Sequence, residues 1–288
     1  MTSAINKQPS AFRFRRRGLW RLPVFVGLLL LAAITTYPIV FVIFAAFKNA
    51  FQYARNPLGP PPHLNWGALR EVWSGGGIQS GMVHSAIVVF SALAVGLLLA
   101  SLAGFALAHL HVPLRRTMLV CLAFLMIQPP ALSLMPTFLV LYHLHLIDNL
   151  VGLALVYVGM VLPFGTVFMH SYFTRLPREL FEAATVDGAS AWRRYRSLAL
   201  PLSTPALMTL GTLVFVWLWN EFLFSVVILS SASTMTLVVD LSIVVGERFV
   251  ADFQQVAAGM VITMIPPILV FFWLQRGIAQ GISAGAVK

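Results

Sequence analysis

The chain has 288 residues, of which 59% are apolar and only 10% charged, against roughly 45–50% and about 25% in an ordinary soluble domain. That imbalance excludes a water-soluble globular protein and points to one embedded in a bilayer. The net charge is +10, but the basic residues lie where membrane topology is set, so no nucleic-acid partner is needed to explain them. With no water in the hydrocarbon to pair backbone groups, spanning elements must be helices or a closed barrel. Continuous apolar runs of about 20 residues or more, without ten-residue alternation, select helices. The single cysteine, Cys121, lies inside such a run and allows no disulfide framework.

Residues 1–21 form a basic segment in which Arg13, Arg15, Arg16, Arg17 and Arg21 are suited to anionic lipid and fix topology. The apolar run at 22–47 exceeds a signal-peptide core of roughly 7–15 residues, so it is predicted as a retained first span, kinked at Pro38. Residues 48–81 form an outer loop, held extended at its start by Pro57, Pro60, Pro61 and Pro62. Asn65 then caps a short surface helix with Trp66, Leu69 and Trp73, ended by Gly75–Gly77. This loop is a passive linker or a docking surface for an external partner. The second span, 82–109, carries Ala92, Gly96, Ala100, Gly104 and Ala108 at every fourth position. Such a small-residue stripe lets helix backbones approach closely in lipid, within the chain or against another subunit.

Arg115 and Arg116 mark an inner turn, and the third span, 118–143, contains Pro129, Pro130 and Pro136. Prolines at membrane depth break the backbone ladder, which is tolerated where protein or a water-filled cavity re-satisfies it. Asp148 and Asn149 make an outer turn; the fourth span is 150–173, with Pro163 inside it. A polar island follows at 176–205. In it Pro177 opens a helix with Glu179 and Glu182 in the early turns, Gly188 offers a left-handed stop, and Ser190 caps a second, arginine-rich helix. The fifth span, 206–229, holds Asn220 and Glu221; an outer segment at 230–255 includes an amphipathic piece, 238–249; the sixth span, 256–274, contains Pro266 and Pro267. With the N-terminus inside, fifteen of the nineteen basic residues fall on the cytoplasmic side, leaving Lys48, Arg55, Arg70 and Arg248 outside. The predicted protein is all-α and polytopic: six transmembrane helices in one domain at 22–280, a cytoplasmic tail at 281–288, and both termini in the cytoplasm.

Glu182-Ala183-Ala184, Gly188 four residues on, and then Leu200-Pro201 resemble the EAA loop of ABC importer permeases, and the string EAATVDGAS resembles the carbohydrate-uptake, maltose-type branch. Leu162-Pro163-Phe164, Trp219-Asn220-Glu221-Phe222 and the tail Ala284–Lys288 agree with it, so the resemblance runs from about residue 65 to the C-terminus. It implies that 177–196 is a coupling helix unit docking into a cytoplasmic ATPase, with Glu182, Ala183, Ala184, Asp187 and Gly188 as coupling residues. It also implies an ABC ATPase dimer, a second and usually different permease, and an extracytoplasmic substrate-binding protein, in a bacterial or archaeal cytoplasmic membrane. ATP and Mg belong to that ATPase, and this chain is expected to bind no cofactor. Glu182 is physically able to make charge-assisted bonds to a partner's Arg or Lys, while bulk at Ala183 or Ala184 would push the helix out of its cleft.

Glu221 is the one acidic residue predicted well inside a span, where it costs about 2.5–3.5 kcal/mol at a helix centre and must face protein or water. It is a cavity or gate residue with Asn220 as hydrogen-bonding neighbour, or it makes a structural bond to a nearby helix. Trp217 and Trp219 could stack on a sugar or pack between helices. The pairs His109/His111 and His143/His145 are spaced by two, which puts each pair on different helix faces rather than at metal-binding spacing, so interfacial packing is expected. None of Lys7, Lys48 and Lys288 precedes Ser or Thr, so the chain carries no P-loop and is not expected to be an enzyme. A secondary transporter would require paired intramembrane charges, and a membrane enzyme a clustered acid/base or metal set. The favoured substrate is a di- or oligosaccharide, with a polyol or glycerol phosphate as alternatives; the near balance of external charges leans toward a neutral sugar.

Overall fold

A computed structural model describes residues 21–75, 77–248 and 252–286, with side chains for 23–75, 77–247 and 252–273. The basic run at 13–17, the end of the tail and Phe249 lie outside the described residues. Among the described residues every regular element is helical. The first, α1 (Arg21–Ala46), is apolar all round, and only 6% of its most apolar stretch is buried. It is a helix for lipid or another chain to cover.

After α1 the buried Lys48 folds the chain back: its ammonium donates to the carbonyls of Asn56 (2.7 Å), Pro57 (3.1 Å) and Gly59 (2.6 Å). Between them runs α2 (Ala50–Arg55), which the proline-rich sequence did not announce; a reciprocal capping box of Asn49 and Gln52 starts it. The outer helix α3 (Gly67–Gly75) follows, with Asn65 Oδ1 accepting from Gly67 N.

The centre is the pair α4 (Ile78–His109) and α7 (Leu150–Phe173). The small-residue stripe is the seam between them. A Cβ added at Gly104 would stand 2.7 Å from Met169 Cβ and 2.8 Å from His170 N, and one at Gly165 would stand 2.8 Å from Ala100 Cβ. The stripe therefore serves packing within the chain, because no side chain fits at these crossings.

Between them the predicted third span is not one kinked helix. It is two helices, α5 (Arg115–Ile127) and α6 (Pro130–His143), bent by 102°. Gln128 and Pro129 are both extended, since the residue before a proline is driven out of the helical region. The polar island comprises α8 (Arg178–Val186), α9 (Ala191–Arg194), a π turn (Tyr195–Ala199) and α10 (Leu200–Leu202). It meets α11 (Thr204–Trp219) at 72°. The predicted fifth span also stops short: α11 ends at Asn220, and a separate α12 (Leu223–Ile228) follows. The outer helix α13 (Leu237–Arg248) precedes α14 (Phe253–Ala286), which runs through the predicted inner boundary at 280. Among the described residues four helices are long and apolar enough to cross a membrane alone; counting each bent pair as one span gives up to six.

Candidate functional site

The polar unit is built as the residue types demand. Pro177 occupies the position before α8, Glu179 lies in its first turn, and Asp187 closes it. Gly188 turns the chain at φ 78°, letting Gly188 N reach Thr185 O and Ala189 N reach Ala184 O. Ser190 Oγ then accepts from Arg193 N to begin α9. The π turn falls just before Pro201, which has no N–H to offer Ser197; Leu200 N–H instead bonds five residues back to Tyr195 O.

One face of this unit is fastened to the central pair. Phe181 is buried and stacks on His109 at 3.9 Å between ring centroids. Tyr195 is buried 5.4 Å from Phe105, and its hydroxyl donates to Ser101 Oγ at 3.1 Å. His109 Nε2–H donates to Phe173 O at 3.1 Å, which ties α4 to the end of α7. Arg194 donates to Thr185 Oγ1 at 2.8 Å, clasping the two short helices together. The other face is open: Glu182, Ala183, Asp187 and Gly188 are exposed, Ala184 is half-buried, and Val186 is 88% exposed. The coupling candidates thus share one exposed surface. The aromatic anchors behind it were missed in the sequence; Phe181 alone marks the buried side of α8.

Glu221 lies in the break between α11 and α12, not within a continuous helix. Its carboxylate accepts from Phe224 N (2.9 Å) and Ser225 N (3.2 Å), capping α12, and from the buried Tyr157 hydroxyl (2.9 Å). Three donors satisfy this half-buried carboxylate, and the dipole of the helix it caps has the favourable sign. Asn220 does not pair with it. The Asn220 amide donates one turn back to Val216 O at 2.8 Å, and the residue borders a cavity of about 440 Å³ between α1 and α14.

The two tryptophans part ways. Trp219 is buried, packs on Phe215, and donates its indole N–H to Thr263 O at 3.3 Å. That carbonyl has no helical donor because Pro267 stands four residues on. Trp217 instead borders a second cavity, of about 700 Å³, walled by α5, α6, α7, α11 and α12. Among the described residues no three His, Cys, Asp or Glu groups gather as a metal site. Of the histidines, His109 packs against Phe181 and His170 accepts from Arg115 at 3.1 Å.

Beside the N-terminal ends of α4 and α7 two carboxylates have opposite environments. Asp148 accepts from Ser230 N, Ser231 N, Ser231 Oγ and Thr234 Oγ1, bonds that hold its carboxyl well below the usual range. Asp240 is buried against Gly77 and Gly81 with one oxygen unpartnered, and burial pushes it up to about 6.

A family profile described as "binding-protein-dependent transport system inner membrane component" matches residues 92–284. The diacetylchitobiose uptake system permease protein NgcG of Streptomyces coelicolor is 29% identical, covering 91% of this chain and 87% of that protein. The sn-glycerol-3-phosphate transport system permease protein UgpE of Yersinia pestis is 31% identical over 93% of this chain and 97% of its own length. A chain of a bacterial ABC transporter involved in import of the acidic polysaccharide alginate shares the fold, with a TM-score of 0.78 at 21% identity over 93% of this chain and 99% of that one.

Proposed function

The chain belongs to the binding-protein-dependent transport system inner membrane components, and from that membership we propose that it is coupled to a separate ATPase through residues 177–196. As an ABC importer permease it carries no chemistry of its own. In this reading ATP binding on a partner dimer draws the α8 surface inward, and Phe181 and Tyr195 pass that motion to α4 and α7 through rigid aromatic contact. The helices then alternate access to a path whose walls include the broken α5–α6 pair. A second permease and an external binding protein complete the assembly, in a cytoplasmic membrane with both termini inside.

The observation that carries the coupling assignment is the two-sidedness of α8: Phe181 is buried against His109 while Glu182, Ala183 and the apolar Val186 face outward. An apolar tip beside an acidic residue on a cytoplasmic helix is a surface made for a partner. The cargo in this reading is a di- or oligosaccharide, supported by NgcG; the likeness to UgpE supports a polyol or glycerol phosphate as the second reading. Glu182→Lys tests the coupling. Uptake is expected to fall to background, with the variant inserted at wild-type level; normal uptake in that variant sinks the assignment.

A further inference from the structure

The larger cavity separates the two readings of the cargo. Its position is set by prolines: the wall combines the α5–α6 break at Gln128–Pro129 with the part of α7 that contains Pro163. A proline has no N–H, so the carbonyl four residues before it loses its helical donor. Pro129 frees the carbonyl of Leu125, Pro130 that of Met126, and Pro163 that of Gly159; all three of those residues line the cavity. The backbone is open at Gly159, where an added Cβ would meet nothing within 4 Å. Such carbonyls at membrane depth need hydrogen-bond donors from water or a ligand.

The side chains add Gln128, Ser133 and Thr137 as uncharged polar groups and Trp217 as an exposed ring, amid an otherwise apolar lining. None of the described lining residues is ionisable. An anionic ligand would meet acceptor oxygens and no cation, whereas a polyhydroxylated neutral one brings the donors these oxygens lack and an apolar ring face for the indole. The volume, about 700 Å³, lies within the range of small-ligand sites, roughly 300–1,000 Å³.

We infer that this cavity accepts a neutral, hydroxyl-rich ligand, a glycoside or polyol, and rejects phosphorylated and uronic ones. The inference rests on the reading of this wall as the chain's share of the translocation path. It goes beyond that reading by deciding against glycerol phosphate.

The test uses the intact complex, purified from its native membrane and reconstituted in liposomes with its binding protein. ATP-driven uptake is measured for labelled maltose, diacetylchitobiose and sorbitol, and for labelled glycerol 3-phosphate and glucose 6-phosphate. The expected result is uptake of at least one neutral probe and of neither phosphate. Thr137→Arg should lower the neutral uptake at least tenfold in a complex that still assembles and hydrolyses ATP, and Trp217→Ala should lower it where Trp217→Phe retains it. Uptake of a phosphate, or of no neutral probe by a complex still hydrolysing ATP, overturns the inference; so does neutral uptake unchanged by Thr137→Arg and Trp217→Ala. Absence of any ATPase from the purified material would instead overturn the coupling reading.

Discussion

Single carboxylates show how far burial and hydrogen bonding set the behaviour of one residue type. Asp240 and Asp148 both lie outside the spanning helices, yet they respond to pH with opposite sign. Asp240 holds its proton more tightly folded than unfolded, so the folded state gains stability as pH falls through about 6. Asp240's own contribution to the melting midpoint in detergent, read as wild type against Asp240→Asn, should therefore rise between pH 7.5 and pH 5. Asp240→Asn should raise the midpoint at pH 7.5; a lower midpoint at pH 7.5 would contradict this account. Asp148 is depressed by its serine and threonine donors, so its contribution is present at neutral pH and fades below about pH 4, where an unfolded aspartate takes up its proton. Asp148→Ala should expose the 230–234 loop to protease at neutral pH, where the wild type resists. Glu221 was legible as a special residue, because an acid beside an apolar run must find partners. Its partners were not legible: Tyr157 comes from another helix, and the two backbone donors exist only because α12 starts there.

Helices of this chain follow their sequence where one face is simple and depart from it where proline intervenes. The fourth-position stripe at 92–108 marks a close-packing face of α4, but only the folded chain shows that α7, and not another subunit, fills it. Gly104→Leu would place a side chain where 2.8 Å separates a mere Cβ from the His170 backbone. It should abolish the folded protein, while Ala94→Leu, on the exposed side of the same helix, should be tolerated; recovery of monodisperse protein from detergent reads the difference. The prolines of the third span announced a break in its backbone ladder, but not its size, since hydropathy counts residues and is blind to a 102° bend. The fifth span has no proline at 220–222 to place the gap between α11 and α12. On the coupling side, the exposed EAA surface was readable and its anchor was not, because Phe181, His109, Phe105 and Tyr195 meet only after the chain folds. Phe181→Ala should cost about 3–5 kcal/mol if the site cannot collapse. Its uptake should drop even where the protein inserts, because the remaining helix still docks but no longer pulls.

The whole molecule presents two surfaces it cannot satisfy alone. One is the apolar length of α1, nearly all of it exposed; the other is the α8 face with Val186 uncovered. The proposed function gives both a place, the first in lipid or against a second permease and the second against an ATPase. The central claim is that this chain transmits force and does not generate it. The most direct measurement is affinity purification of the tagged chain from its native membrane in mild detergent, with identification of the accompanying proteins and assay of their ATP hydrolysis. The account predicts an ATPase in the wild-type preparation, with its hydrolysis uncoupled from uptake in Glu182→Lys. Recovery of the chain alone through several detergents, in membranes that still transport the substrate, would contradict it.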